Sequence, residues 1–120
     1  MPTLSQGAAP NVVAAKTSSL SGLQNVSLTL SPALVAANTT AEQTFTLTGV
    51  ASGDVVVSIN KPTAQAGLGI VGWRVSAANQ IGITFSNNTA AGITPTASQV
   101  YLVTIFRSND ASTKTTFDGL

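Results

Sequence analysis

The sequence has 120 residues without any cysteine or histidine, and only five Lys or Arg and four Asp or Glu residues carry charge. Without cysteine the chain has no disulfide and no thiolate metal site. Without histidine it lacks the commonest general base and transition-metal ligand, and neither Ser-His nor Cys-His nucleophilic pairs can form. We therefore expect a protein that is not an enzyme, with no cofactor, no metal site and no small-molecule substrate.

The charges are also thinly spread, with a net charge of +1. No two cations lie within six residues of each other, whereas phosphate binding needs clustered Lys and Arg. No apolar run approaches the roughly 20 residues of a membrane span, and the N-terminus lacks the basic start and apolar stretch of a secretory signal. We expect no nucleic-acid partner, no membrane and synthesis in a cytoplasm.

What the sequence has in quantity is Thr (17), Ala (17) and Ser (13), which favours strands and turns over charged helices. Alternating apolar and polar residues, separated by turn signals, indicate an all-β fold: an antiparallel β-sandwich or small barrel of about six or seven strands, Ig-like or jelly-roll-like. The predicted strands are 25–31, 42–50, 55–59, 70–76, 80–86 and 99–107, with 113–117 as a further edge strand.

The domain organisation follows from where this alternation begins. Residues 1–24 are small and polar without a regular period, which predicts a flexible, extended N-terminal arm. Residues 25–120 form the predicted single β domain.

The spacing of the strands predicts two hairpins, one joining 42–50 to 55–59 and one joining 70–76 to 80–86. In the fourth strand, Val71, Trp73 and Val75 alternate and are predicted to share one face. The run 99–107 is almost continuously apolar, which predicts a central strand covered on both faces.

Few residues could carry chemistry. Ser58 and Lys61 are close in sequence, a spacing expected by chance in a Ser-rich chain. The loop 108–112 holds only one carboxylate for calcium, and an Asx-type turn explains it better. The glycines between 67 and 72 precede a strand and not a helix, so they indicate a turn or bulge and no phosphate site. The acidic residues are interpreted as solvated turn formers: Glu42, Asp54, Asp110 and Asp118.

The excess of apolar over charged residues, 43% against 8%, indicates that some apolar faces are either covered by another molecule or left exposed, and it favours self-association. Trp73 and Tyr101 are the most informative candidates. A lone Trp is more often a core residue than an interface residue, but large aromatic side chains are also enriched at interfaces. The predicted interface residues are Leu4, Val12, Val13, Leu20, Leu68, Trp73 and Tyr101.

Four segments resemble a known class of proteins. They read NKPTAQAGLGIV at 60–71, RVSAAN at 74–79, ITF at 83–85 and TAAGITPT at 89–96. The chain resembles small structural proteins of tailed bacteriophages over about residues 40–107, and the motif carries no known site residue.

The resemblance implies a virion component, most simply a head decoration (cement) protein on the capsid surface. Its expected partners are the major capsid protein and copies of itself, including a homotrimer, because decoration proteins are often trimers. The N-terminal arm fits this expectation, since such proteins are often tied down by extended termini. The alternative is a tail- or fibre-associated, adhesin-like module that recognises a host surface.

Overall fold

The computed structural model describes residues 22–107, which contain six β-strands and no helix. Each strand coincides with a predicted one, with ends shifted by a few residues. The strands are β1 (Leu23–Leu30), β2 (Thr39–Thr46), β3 (Val55–Asn60), β4 (Leu68–Ala77), β5 (Gln80–Asn87) and β6 (Gln99–Phe106).

The strands form two antiparallel three-stranded sheets, which confirms the predicted small β-sandwich. Sheet I has the order β1-β6-β3 and sheet II the order β2-β5-β4. β6 and β5 are therefore the central strands, and β1, β3, β2 and β4 are edges. The two sheets approach each other along β3 and β4.

One of the two predicted hairpins is present. β4 and β5 are paired through a tight turn at Asn79, whose φ of 62° is the left-handed conformation that Asn tolerates. The predicted hairpin between the second and third strands is wrong, because β2 pairs with β5 and β3 with β6. The reason is that the connection after β2 buries Leu47 and Val50 in the core while it crosses from sheet II to sheet I.

The core lies between the inner faces of the central strands. Ile81, Ile83 and Phe85 of β5 are fully buried, as their alternation predicted. Tyr101 and Val103 of β6 are fully buried opposite them. The two central strands thus hold the sandwich together by apolar burial.

A bulge in β4 changes the predicted face of that strand. Trp73 pairs with Ile83 and Val75 with Ile81, so both are in the core-facing register. The register shifts between Ile70 and Gly72, and Val71 at the bulge is 62% exposed. The prediction that Val71 shares one face with Trp73 and Val75 is therefore wrong, because the extra residue takes it out of the alternation. The glycine-rich segment indeed marks a turn and a bulge.

The predicted N-terminal arm overlaps the first strand. Leu23 and Gln24, its last two residues, are the first two of β1. The rest of the predicted arm and the predicted strand 113–117 lie outside the described residues.

Tyr101 carries a buried hydroxyl that has no hydrogen-bond partner among residues 22–107. Burial also raises the pKa of Tyr101 above its usual range. We expect Tyr101→Phe to stabilise the domain by about 1 kcal/mol, because it removes a desolvated polar group and keeps the ring. Thermal unfolding should show a Tm increase of about 4–8 °C. Tyr101→Leu is the control and should lower the Tm; a loss of stability in Tyr101→Phe would contradict the prediction.

Candidate contact surface

The outer face of sheet I carries a row of exposed apolar side chains. Val55 and Val100 are 54% and 53% exposed, and Leu23 is 50% exposed. We call this surface the apolar face; its residues are the exposed Leu23, Val55, Val57, Val100 and Leu102 and the half-buried Phe106.

Strand register brings these side chains together. Phe106 of β6 pairs with Leu23 on one side and with Val55 on the other, and directly paired residues of antiparallel strands lie on the same face. A bulge between Val56 and Ser58 turns Val57 outward as well. The apolar face thus runs across all three strands of sheet I.

The polar residues on this outer face are uncharged. The Thr104 hydroxyl donates a hydrogen bond to the Asn25 side-chain oxygen at 2.7 Å, which links β6 to β1. Ser27 and Asn60 flank Leu102 on the neighbouring strands. Because no charge interrupts the surface, covering it with another molecule requires no ion to be desolvated.

The prediction that the last strand is covered on both faces is wrong for the described residues, although its central position is confirmed. Val100 and Leu102 are exposed while Tyr101 and Val103 are buried. An apolar run alone does not reveal whether its second face is covered within the same domain.

The outer face of sheet II is different, since it is polar and charged. The Arg74 guanidinium donates two hydrogen bonds to the Glu42 carboxylate, at 2.7 and 2.8 Å. The pair passes over Gly82 of the central strand, where a Cβ atom would collide with the Glu42 carboxylate. The hydrogen bond from Arg74 lowers the pKa of Glu42. The exposed side chains of Thr44 and Thr46 continue this solvent-adapted surface.

A cleft of about 420 Å³ opens between the two sheets on the β1 side. Gln24 and Val26 of β1 and Leu47 after β2 are among its lining residues. At its rim, Arg107 donates hydrogen bonds to Asp54 at 2.8 and 2.6 Å and to the Gly49 carbonyl at 2.7 Å. This ion pair raises the pKa of Arg107 and fixes the end of β6 to the turn before β3. The cleft is thus bordered by a structural ion pair.

The residues considered for chemistry have structural roles in the described part of the chain. The Lys61 ammonium donates to the Thr63 carbonyl and to the Gln65 side chain, and burial lowers its pKa. Glu42 and Asp54 each pair with an arginine. Residues 22–107 contain no group of three or more acidic side chains that could hold a metal ion. Asp110, Asp118 and the loop 108–112 lie outside this range.

The structure separates the predicted interface residues. Tyr101 is completely buried and belongs to the core, and Leu68 is half-buried against it. Trp73 is 37% exposed at the edge of sheet II. The other four residues lie outside the described residues: Leu4, Val12, Val13 and Leu20.

The residues of the apolar face were not among the predicted interface residues. One signal for them was present in the sequence, since Thr104 interrupts the apolar run of β6 on the side of Val100 and Leu102. If the central strand were buried on both faces, the hydroxyl group at that position would be desolvated at a cost in free energy.

Comparison of the chain with protein families, with curated proteins and with solved structures finds no match. Within residues 22–107 there is no helix long and apolar enough to cross a membrane. A proposal for the function therefore rests on the surfaces of the domain and on the resemblance of the four sequence segments.

Proposed function

We propose that this protein is a non-enzymatic structural protein of a tailed-phage virion, a decoration (cement) protein that binds and stabilises the assembled head from the capsid surface. The observation that carries the proposal is the uncharged apolar face of sheet I. The resemblance over residues 40–107 suggests that the assembly is a phage virion. The apolar face is the surface through which the protein would attach to it.

The magnitude of apolar burial supports attachment through this face. Fully burying a Val or Leu side chain contributes about 1.5–3 kcal/mol, so covering several half-exposed ones contributes several kcal/mol before the costs of association. A protein that binds the assembled shell but not its free subunits stabilises the shell by mass action, by about 2.7 kcal/mol at a hundredfold excess over Kd.

The two outer faces suggest an orientation on the capsid. The apolar face of sheet I contacts the major capsid protein, and the polar face of sheet II, with its Glu42–Arg74 pair, faces the solvent. The predicted arm, residues 1–24, binds a neighbouring capsid or decoration subunit by strand addition through its residues before β1. It joins the domain at Leu23, a residue of the apolar face.

The alternative, a tail- or fibre-associated module that recognises a host surface, requires a patch of exposed aromatic side chains. Trp73 is one such side chain, at 37% exposed, but Tyr101 is buried. The other aromatic rings among residues 22–107 are half-buried or buried, and Phe106 is the one aromatic residue of the apolar face. This mainly aliphatic face favours the structural role.

The proposal is tested on particles purified from a phage whose genome encodes this chain. Quantitative mass spectrometry should find the protein in the particles in many copies, on heads separated from tails. In the double variant Val55→Thr/Val100→Thr the bound copy number at limiting protein should fall about tenfold, which corresponds to about 1.4 kcal/mol.

Val71→Thr is the matched control, because Val71 is more exposed than either residue but lies on β4 of sheet II. It should leave occupancy unchanged. Absence of the protein from particles, its presence on tails alone, or equal loss in the control would overturn the proposal. Deletion of residues 1–21 tests the arm separately, and unchanged occupancy would exclude its role.

A further inference from the structure

The free edge of β1 differs from the other three edges of the described sandwich. β3 contains a bulge between Val56 and Ser58, and β4 contains two register shifts and Arg74. β2 carries Glu42. Bulges and charges are the usual means by which edge strands avoid pairing with other chains. β1 has no charge, no proline and no register shift over eight consecutive pairs with β6.

The hydrogen bonds of β1 show which backbone groups face this edge. The Arg107 N–H donates to the Gly22 carbonyl at 3.0 Å, so these residues form a hydrogen-bonded pair at the start of the β1–β6 ladder. In an antiparallel pair, hydrogen-bonded and non-hydrogen-bonded positions alternate. The residues whose backbone N–H and C=O groups point away from β6 are therefore Leu23, Asn25, Ser27 and Thr29.

We propose that the free edge of β1 pairs antiparallel with β1 of a second copy of this chain, which joins two copies of sheet I into one continuous six-stranded sheet. The inference does not depend on the proposed function. It rests on the neutrality and regularity of this strand, because a strand that pairs with its own copy across a two-fold axis opposes each of its charges to a nearby identical charge.

The two-fold axis also fixes the register. An axis perpendicular to the sheet places the outer faces of the two copies on the same side. Odd-numbered residues of β1 must therefore pair with odd-numbered residues of the second copy, and even-numbered with even-numbered ones. When Val26 lies opposite Val26 of the second copy, Leu23 pairs with Thr29 and Asn25 with Ser27, each twice. This register satisfies all four outward-pointing positions of each copy.

Side-chain packing favours the same arrangement. Val26 and Leu28 are half-buried and pack against the core at the open side of the sandwich. Pairing would bring the corresponding side chains of the second copy beside them. The two apolar faces would then lie side by side on one surface, and the assembly would close at two copies because the interface is isologous.

The test is the mass of the full-length chain by light scattering and sedimentation over a wide concentration range. The wild type should form a reversible dimer. The double variant Asn25→Lys/Ser27→Lys places lysines opposite lysines across the axis, and its dimer dissociation constant should rise about tenfold or more. Asn25→Asp/Ser27→Asp should also be monomeric, and mixing the two variants should restore a dimer. Thr44→Lys/Thr46→Lys, the same change on β2, should remain dimeric.

Hydrogen exchange identifies the edge itself. The amides of Asn25, Ser27 and Thr29 should be protected in the wild type and exchange rapidly in the lysine variant. The amides of Val26 and Leu28, which bond to β6, should be protected in both, which shows that the variant is folded. A wild type that is monomeric at all concentrations, or a dimer unaffected by the lysine pair, would overturn the inference. Protected edge amides in a monomer would do so too, because another part of the same chain would then cover β1.

Discussion

Replacing Asn87 with aspartate is expected to destabilise the domain by about 3–5 kcal/mol at neutral pH, as for an uncompensated buried charge. Asn87 is 1% exposed at the end of β5 and uses its whole side-chain amide. Its nitrogen donates to the Val35 and Ala91 carbonyls at 3.0 and 2.8 Å. Its oxygen accepts from the Thr89 N–H and hydroxyl at 2.9 and 2.7 Å.

A carboxylate at this position keeps the two acceptor contacts with Thr89 but turns a negative charge toward two carbonyl oxygens. The charged form is disfavoured in the folded state, so the pKa of the introduced carboxyl group should be raised above the usual aspartate value of about 3.9. Relative to the wild type, this ionisation penalty is absent below the unfolded-state pKa, grows as the pH rises from there to the raised folded-state pKa, and is constant above it.

Urea unfolding at several pH values measures this effect. The difference in unfolding free energy between wild type and Asn87→Asp should be smallest near pH 4 and largest near pH 7. Asn88→Asp is the matched control, because the neighbouring Asn88 side chain is exposed. It should cost less than about 0.5 kcal/mol at every pH, as expected of a surface substitution. A loss that is equal for both variants, or independent of pH, would contradict the role assigned to Asn87.

Sequence reasoning located all six strands. Four of them alternate clearly, and the other two, β3 and β6, are short apolar runs bounded by turn signals. The same reasoning failed on the partner of β2. The segment 51–54 resembles a hairpin turn in its length and its Gly53-Asp54 ending. In the structure β2 already ends at Thr46, and Leu47 and Val50 are buried while the chain changes sheets. Which strands pair depends on tertiary packing that local pattern does not encode.

The role of Asn87 was also beyond sequence reasoning. An Asn-Asn-Thr run after a strand predicts a turn, and the chain does leave β5 there. The carbonyl groups that accept hydrogen bonds from Asn87 belong to Val35 and Ala91, and Val35 is distant from Asn87 in sequence. Only the folded chain brings Val35 to this position, since its backbone bridges to Ile93.

The presence of an exposed apolar surface was predicted, but its position was not. Low charge and high apolar content indicated apolar faces that are covered by another molecule or left exposed, and the structure indeed exposes aliphatic side chains on sheet I. Tyr101 was expected at this surface, but its side chain points to the core, and the neighbouring Val100 and Leu102 point outward instead. Side chains of a strand alternate between its two faces, and this alternation decides which residues of β6 face outward. In an almost continuous apolar run the sequence does not show which residues these are.

A comparison of two phenylalanines tests the distinction between the two faces of the sandwich. Phe85 is fully buried at the centre of sheet II, whereas Phe106 lies on the outer face of sheet I between Leu23 and Val55. Phe85→Ala should cost about 3–5 kcal/mol, the usual cost of deleting a buried ring. Phe106→Ala should cost about 1 kcal/mol or less, because it loses only cross-strand contacts.

Urea unfolding of the full-length chain, at a concentration where it is monomeric, provides both values. The difference between them measures how much of the apolar face is covered within one copy. If Phe106→Ala were as costly as Phe85→Ala, another part of the same chain would have to cover the outer face of sheet I. The proposed contact with the capsid would then lose its surface. If the apolar face binds another subunit, Phe106→Ala should lower the unfolding free energy only slightly but should strongly reduce occupancy on particles. The reason is that the apolar side chains are then buried on binding and not on folding.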